Sequence, residues 1–454
     1  MTQPRNPTRA HLVDALWKLG VRDVESRRDD GASISAGIVR GWRGDVLVGG
    51  ASSDVQHPID AVTDLVALAL AKNAQQRSRV EVYLDLEPGA EETLAAATTL
   101  ARVARERGLV DLHVYRVDEE GDPELLQART DFSDIATYRY TRWPEHLDRL
   151  RTAEPPPIVA RLVNAANSFL AEEPYDLAVR AYPGFSANEQ WSVRVEGLSV
   201  GTVQRGGLVL TVGKQGMGGR DGHKRRLWTR VADRDHFAVD KDNVDLAAKK
   251  VAEFALALAG DLPGGPADDE LAKTVQHLAT VADEHALESR ILRGAVPVTA
   301  PGDGARLDPL RPHDQVVNWG SQFPTRWGPT RASSGRYLDA LLRSGDTPWA
   351  LEIKVDGSSG RRQYYRHAVH QAVLYREFIR AATPLHQWFD QMQPRVDATK
   401  CEAAVVIAER TRSHHLEDLQ AVADCFGVDI ITIDDPKAAY YSRLRQGLSG
   451  TSCS

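Results

Sequence analysis

The chain has 454 residues, of which 42% are hydrophobic and 26% charged, with a formal net charge of −7 and a mean hydropathy of −0.37. That length exceeds one ordinary hydrophobic core and predicts two or three domains, while the composition excludes a disordered chain and no apolar run reaches the roughly 20 residues that cross a bilayer. A pI of about 6.1 excludes a general nucleic-acid coat protein, which would be strongly basic, but not an enzyme with one local basic groove.

The first residues, MTQPRNPTRAHLVDALW, hold no apolar core of the kind a signal peptide needs, so the expected location is cytoplasmic, with no membrane partner. Cys401, Cys425 and Cys453 are scattered without a CxxC pair. They suggest neither a zinc knuckle nor a disulfide framework, and buried or incidental thiols are expected.

In chain order, residues 8–20 read as a short amphipathic helix. Two β-like runs, SISAGIVRGW and DVLVGG, follow, then a helix in IDAVTDLVALALAKNA. RVEVYLDL, EETLAAATTLARVARERG and LVDLHVYRV then alternate strand, helix and strand, which predicts an α/β domain over residues 1–150. No phosphate-binding glycine motif follows its first strand, so this pattern names no ligand.

Pro155-Pro156-Pro157 marks an extended linker or domain edge. After the helix IVARLVNAANSFLAEE come four short strand-like runs, DLAVRAYP, QWSVRVEG, LSVGTVQ and GLVLTVG, and the helix VDLAAKKVAEFALALAG. A β-rich α+β domain is predicted over residues 155–262, ending at the breaker Asp261-Leu262-Pro263-Gly264-Gly265-Pro266. Within it GKQGMGGRDGHKRR, residues 213–226, is glycine-rich and basic but lacks the GK[ST] ending of a P-loop. Read as a flexible loop, it offers Lys214, Arg220, Lys224, Arg225 and Arg226 to a phosphate backbone, or is simply a hairpin connection. Trp191 and Trp228 flank it as expected core residues.

The last domain, 268–454, begins with a long helix-like run, DELAKTVQHLATVADEHALESRILRG. Strands follow in QVVNWGSQF, RYLDALL and TPWALEIKV, then a helix in RRQYYRHAVHQAVLYREFIRAA, a strand in CEAAVVIAE, a helix in HLEDLQAVADCFG and a strand in VDIITID. In an extended strand side chains alternate, so Glu352 and Lys354 share one face while Ile353 turns to the core. A hairpin through Arg343-Ser344-Gly345-Asp346 would bring Asp339 beside Glu352. Two adjacent carboxylates repel and favour a cation between them, and oxygen donors select Mg²⁺ or Mn²⁺. Such an ion can activate water for attack on a phosphodiester, and Lys354 is placed to orient that water or offset developing charge.

These residues resemble the PD-(D/E)XK nuclease superfamily over roughly residues 275–435, with Asp339 as the motif aspartate and Glu352-Ile353-Lys354 as the ExK element. Leu338 stands where the motif name has proline. Gln371 and Tyr375 fit the QxxxY pattern of the RecB-like branch, and Glu288 lies where many members carry a further acid, with Glu284 one turn earlier as an alternative. The resemblance implies a restriction-endonuclease-like αβββαβ core, so that the whole chain is a multi-domain α/β protein. It implies a nuclease, DNA favoured, that needs Mg²⁺ with Mn²⁺ able to substitute and leaves a 5′-phosphate and a 3′-hydroxyl. Asp339, Glu352, Glu288 and the Ile353 carbonyl would hold metal, Lys354 would position water, and Gln371 would contact water or the substrate phosphate. Tyr375, Arg361, Arg362 and Arg366 are candidate nucleic-acid contacts, the arginines because cations at a helix N-terminus want an external anion. His367 and His370 read as surface residues of the same helix.

By analogy with such enzymes, the first 270 residues would gate or target cleavage, as in a prokaryotic defence or restriction effector. An activating ligand or protein partner and a homo-oligomer stay open. So do two other readings: a nucleic-acid-binding module without cleavage, and an interaction scaffold.

Overall fold

The computed structural model describes residues 7–25, 37–52, 58–72, 78–87, 90–118, 120–125, 154–173, 175–183, 191–204, 207–212, 219–259, 284–310, 316–318, 320–323, 338–355, 361–408 and 413–433. It is a mixed α/β protein with three sheets.

The first sheet runs β1 (Arg22–Glu25), β2 (Val39–Arg43), β3 (Val46–Ser52), β4 (Ser78–Asp85), β5 (Val110–Val117), β6 (Pro123–Leu125), in that spatial order. Its central strands β3, β4 and β5 are parallel, joined by α2 (Asp60–Lys72) and α3 (Glu91–Arg107). β4 is covered on both faces, with Val80, Val82 and Leu84 in one core and Tyr83 in another. Val80, Val82 and Leu84 pack with Val62, Leu65 and Leu100 of α2 and α3. Tyr83, with Val39 and Val48, packs beneath Leu12 and Leu16 of α1 (Pro7–Lys18).

The second sheet is antiparallel, in the order β11 (Phe237–Val239), β10 (Gly207–Leu210), β9 (Leu198–Gln204), β8 (Trp191–Val195), β7 (Val179–Pro183). Its core joins Val193 and Leu210 to Val159 and Leu162 of α4 (Pro157–Leu170), Trp228 of α5 (Gly219–Ala232) and Phe254 of α6 (Val244–Leu258). The sequence reading missed α5. Residues 213–218 lie outside the described residues, but from Gly219 the basic stretch is helical rather than a flexible loop. Leu227, Trp228 and Val231, buried in the second core, fall on one helix face and draw the segment down.

The third sheet has the order β12 (Asp308–Pro309), β14 (Leu338–Ser344), β15 (Thr347–Lys354), β16 (Glu402–Ala408), β17 (Asp429–Ile433), with β13 (Ser321–Phe323) also pairing β14. β14 and β15 form an antiparallel hairpin; β15, β16 and β17 are parallel. Leu351, Ile353 and Val406 pack with Leu287 and Ile291 of α7 (Glu284–Leu292), whereas Ala350, Val405 and Ile407 belong with α8 (Arg361–Ala381) and α10 (Ser413–Phe426). A short helix, α9 (Thr383–Asp390), precedes β16.

One expectation here reaches beyond the described residues and one changes. Of the long helix expected before the third sheet, Glu284–Leu292 is helical, and 260–283 lie outside the described residues. The run QVVNWGSQF is divided between two sheets: Val317 bridges Ala181 of β7, while Ser321–Phe323 joins β14.

The first and third sheets are stacked through their helices. One continuous apolar cluster runs from Leu65 and Leu100 through Val369, Val373 and Phe378 of α8 and Leu419 and Phe426 of α10 to Leu341 and Val405. The packing order is therefore sheet, helix layer, helix layer, sheet.

Candidate metal centre

The site grows from the β14–β15 hairpin. Ala340 pairs with Leu351, a register that sets Asp339 opposite Glu352. The amide of Ile353 donates to Asp339 Oδ2 at 2.9 Å, turning that carboxyl onto β15. Ile353 is fully buried in the core shared with α7, and its neighbours Glu352 and Lys354 point the opposite way, as alternation along a strand demands.

A third carboxylate comes from α7. Oxygen atoms of Glu284, Asp339 and Glu352 all lie within 4.8 Å of one another. Lys354 Nζ sits among them, 2.5 Å from Glu284 Oε1, 2.7 Å from Glu352 Oε1 and 4.0 Å from Asp339 Oδ2. It also donates to the Ile353 carbonyl at 3.0 Å, so that oxygen faces the same space. Burial, then the charge of Glu352, pushes the Asp339 carboxyl well above the ordinary carboxylate range, against the lowering effect of Lys354.

The acid whose oxygen meets those of Asp339 and Glu352 is Glu284, where the sequence favoured Glu288; the two lie one turn apart on the same helix face. Glu288 is buried and lies 3.2 Å from His285 Nδ1, and its charge still acts on Asp339.

The remaining expectations divide sharply. Gln371 lies on α8, half-buried, in a helix packed on β15. Tyr375 on the same helix is 1% exposed within the shared core, so it offers no surface to nucleic acid. Arg366 is likewise withdrawn: Nε and NH2 donate to Asp64 Oδ1 of α2 at 3.2 and 3.0 Å. His367 lies 3.4 Å from both Asp60 Oδ2 and Asp64 Oδ1, and His370, with no exposed surface, lies 3.4 Å from Thr63 Oγ1. His370 is therefore a buried contact between helices, and His367 a half-buried one. The side chains of Arg361, Arg362 and Arg220, and all of Lys214, lie outside the described residues. Lys224 is buried, and Arg225 is ion-paired with Asp235, which also accepts from Thr229 Oγ1 at 2.7 Å. Arg226 is exposed.

Cys401 and Cys425 are free and buried, and burial pushes each thiol up to about 12, leaving them unreactive. Among the described residues no helix is long and apolar enough to cross a membrane.

No protein-family model matches this chain, and no curated protein does. Among solved structures it is similar to protein VC1899 from Vibrio cholerae at 11% sequence identity, over 88% of this chain and 97% of that one, with a TM-score of 0.15. So low a score carries no argument about fold or activity.

Proposed function

We propose that this protein is a divalent-metal-dependent nuclease, DNA favoured, whose centre is built on Glu284, Asp339, Glu352 and Lys354. The observation that carries this reading is the meeting of three carboxylates and a buried lysine from two strands and a helix at one point. Carboxylate oxygens and the Ile353 carbonyl suit Mg²⁺ or Mn²⁺. Bound there, the ion would acidify a water and neutralise charge on a phosphodiester.

The chain's own groups take the remaining roles. Asp339 is oriented by the Ile353 amide and Glu352 lies beside Lys354. Lys354, beside Glu284 and Glu352, would orient the attacking water or offset negative charge on the phosphate. Gln371 on α8 contacts water or phosphate. The arrangement fits a restriction-endonuclease-like core within the third sheet. The first two sheets gate or target the cut, as in a prokaryotic defence or restriction effector.

Purified full-length protein, incubated with linear, circular and single-stranded DNA and with RNA, is expected to cut in Mg²⁺ or Mn²⁺ and not in EDTA. Glu352→Ala and Lys354→Ala should each abolish cutting. Equal cutting by either variant would remove the site assignment.

One observation favours a second reading, a nucleic-acid-binding or scaffold module that never cleaves. Lys354 already supplies one positive charge at 2.5 and 2.7 Å from two of the carboxylates. A scaffold would show no rise in melting temperature with Mn²⁺ or Mg²⁺, whereas a binding module would hold DNA in a salt-dependent way without metal-dependent strand loss.

A further inference from the structure

α7 has two partners. Its apolar residues Leu287, Ile291 and Leu292 pack on the third sheet, and its first residue, Glu284, enters the carboxylate group. Its polar residues are gripped by the second sheet. Tyr182 of β7 donates to Ser289 Oγ at 3.1 Å and accepts from Asn318 Nδ2 at 2.8 Å. Burial, then the charge of Glu288, pushes the Tyr182 hydroxyl up to about 12, so it stays protonated as a donor. Arg293, just past the helix, donates to Asp176 Oδ1 at 2.8 Å and to Glu196 Oε1 at 3.3 Å. Arg290 reaches Asp176 Oδ2 at 3.4 Å.

The closest approach is at the β8–β9 turn. Glu196 and Gly197 both have positive φ, +44° and +77°, as a two-residue hairpin turn of this hand requires. A Cβ placed on Gly197 would lie 2.1 Å from the carbonyl oxygen of His285 and 2.5 Å from its carbonyl carbon. That carbonyl belongs to the residue next to Glu284. Only glycine lets the turn close this far onto the start of α7. Over its described residues, α7 is held in place by these contacts together with its apolar packing on the third sheet.

We propose that Gly197 and Tyr182 of the second sheet are positioning residues for the metal centre: they fix α7 so that Glu284 stands with Asp339 and Glu352. The inference rests on the metal reading above. It makes the second sheet part of the machinery that assembles the site, rather than an appendage to it.

The test uses the full chain and Mn²⁺ alone, titrated calorimetrically without nucleic acid at a temperature where every variant is folded by circular dichroism. Wild type is expected to bind Mn²⁺. Gly197→Ala is expected to weaken binding at least tenfold, and Tyr182→Phe about threefold. The electron paramagnetic resonance of the bound ion should broaden in both, since a displaced Glu284 changes the ligand set. A purely architectural contact would lower the melting temperature and leave affinity and spectrum alone; that result would overturn the inference. Should Gly197→Ala fail to fold, Tyr182→Phe, which deletes one hydroxyl, decides alone. A wild-type chain that binds no Mn²⁺ would sink the metal centre itself, an outcome distinct from wild type and variants binding equally well.

Discussion

Lys354 concentrates the physical tension of the third sheet. Its ammonium is the cation on which Glu284 and Glu352 rely. Removing one partner of a buried charge pair costs about 3–5 kcal/mol, because the other is left uncompensated. Lys354→Met is therefore expected to lower the melting temperature of metal-free protein sharply, and Mn²⁺ should restore more of that loss than it adds to wild type. Thermal melts with Mn²⁺ and with EDTA read both effects; an unchanged metal-free melt would mean that the carboxylates do not depend on Lys354. Glu352 and Lys354 were legible in the sequence because period-two alternation on an apolar strand fixes where each side chain points. Glu284 was not separable from Glu288, because helical periodicity gives a face but not the axial position of that face against a neighbour. Arg366 was misread for a different reason: its partner Asp64 is 302 residues away, and no local pattern announces it.

α8 shows what an element can do that its residues cannot do singly. It lies between two sheets, with Val373 and Phe378 in the shared core and a row of charges toward α2 and α3. Glu377 accepts from Arg102 of α3 at 2.6 Å and from Arg376 at 3.0 Å. Burial raises its pKa, but Arg376, Arg102 and Arg380 together outweigh that and hold it below the ordinary glutamate value of 4.5. A lowered carboxylate favours the folded state above its unfolded value, and that contribution disappears as pH falls through the folded one. Stability should therefore drop more steeply below about pH 4.5 in wild type than in Glu377→Gln. Chemical denaturation from pH 6 down to pH 3 tests this, and parallel curves would count against it. The helix itself was plain from its apolar period. Its burial on both sides was not, since Tyr375 fits a surface pattern and a core pattern equally well. α5 was missed because its glycines and arginines resemble a loop, while Leu227, Trp228 and Val231 decide the matter only through partners on other elements.

At the scale of the whole molecule, most of the strand and helix alternation of the first and third sheets was readable, and the stacking of the first on the third was not. Among the described residues, that stacking buries a single core across α2, α3, α8 and α10, shared between the first and third sheets. A fragment spanning 268–454 would expose the faces of α8 and α10 that α2 and α3 cover, an apolar area of the kind that drives aggregation. We expect this fragment to be insoluble or molten, and the full chain to show one calorimetric transition for the first and third sheets together. A soluble fragment with sharp cooperative melting would contradict the shared core.

The same stacking sets a schedule during synthesis. Asp64 and Arg366, which meet between the two helix layers, leave the ribosome 302 residues apart. At about 5–20 residues per second, that interval is roughly 15–60 s. Through it, the outer faces of α2 and α3 have only water or a chaperone for company. A message broken anywhere before the α8 codons would yield a chain that displays this sticky surface for good, and the cell's quality control would meet it as unfinished.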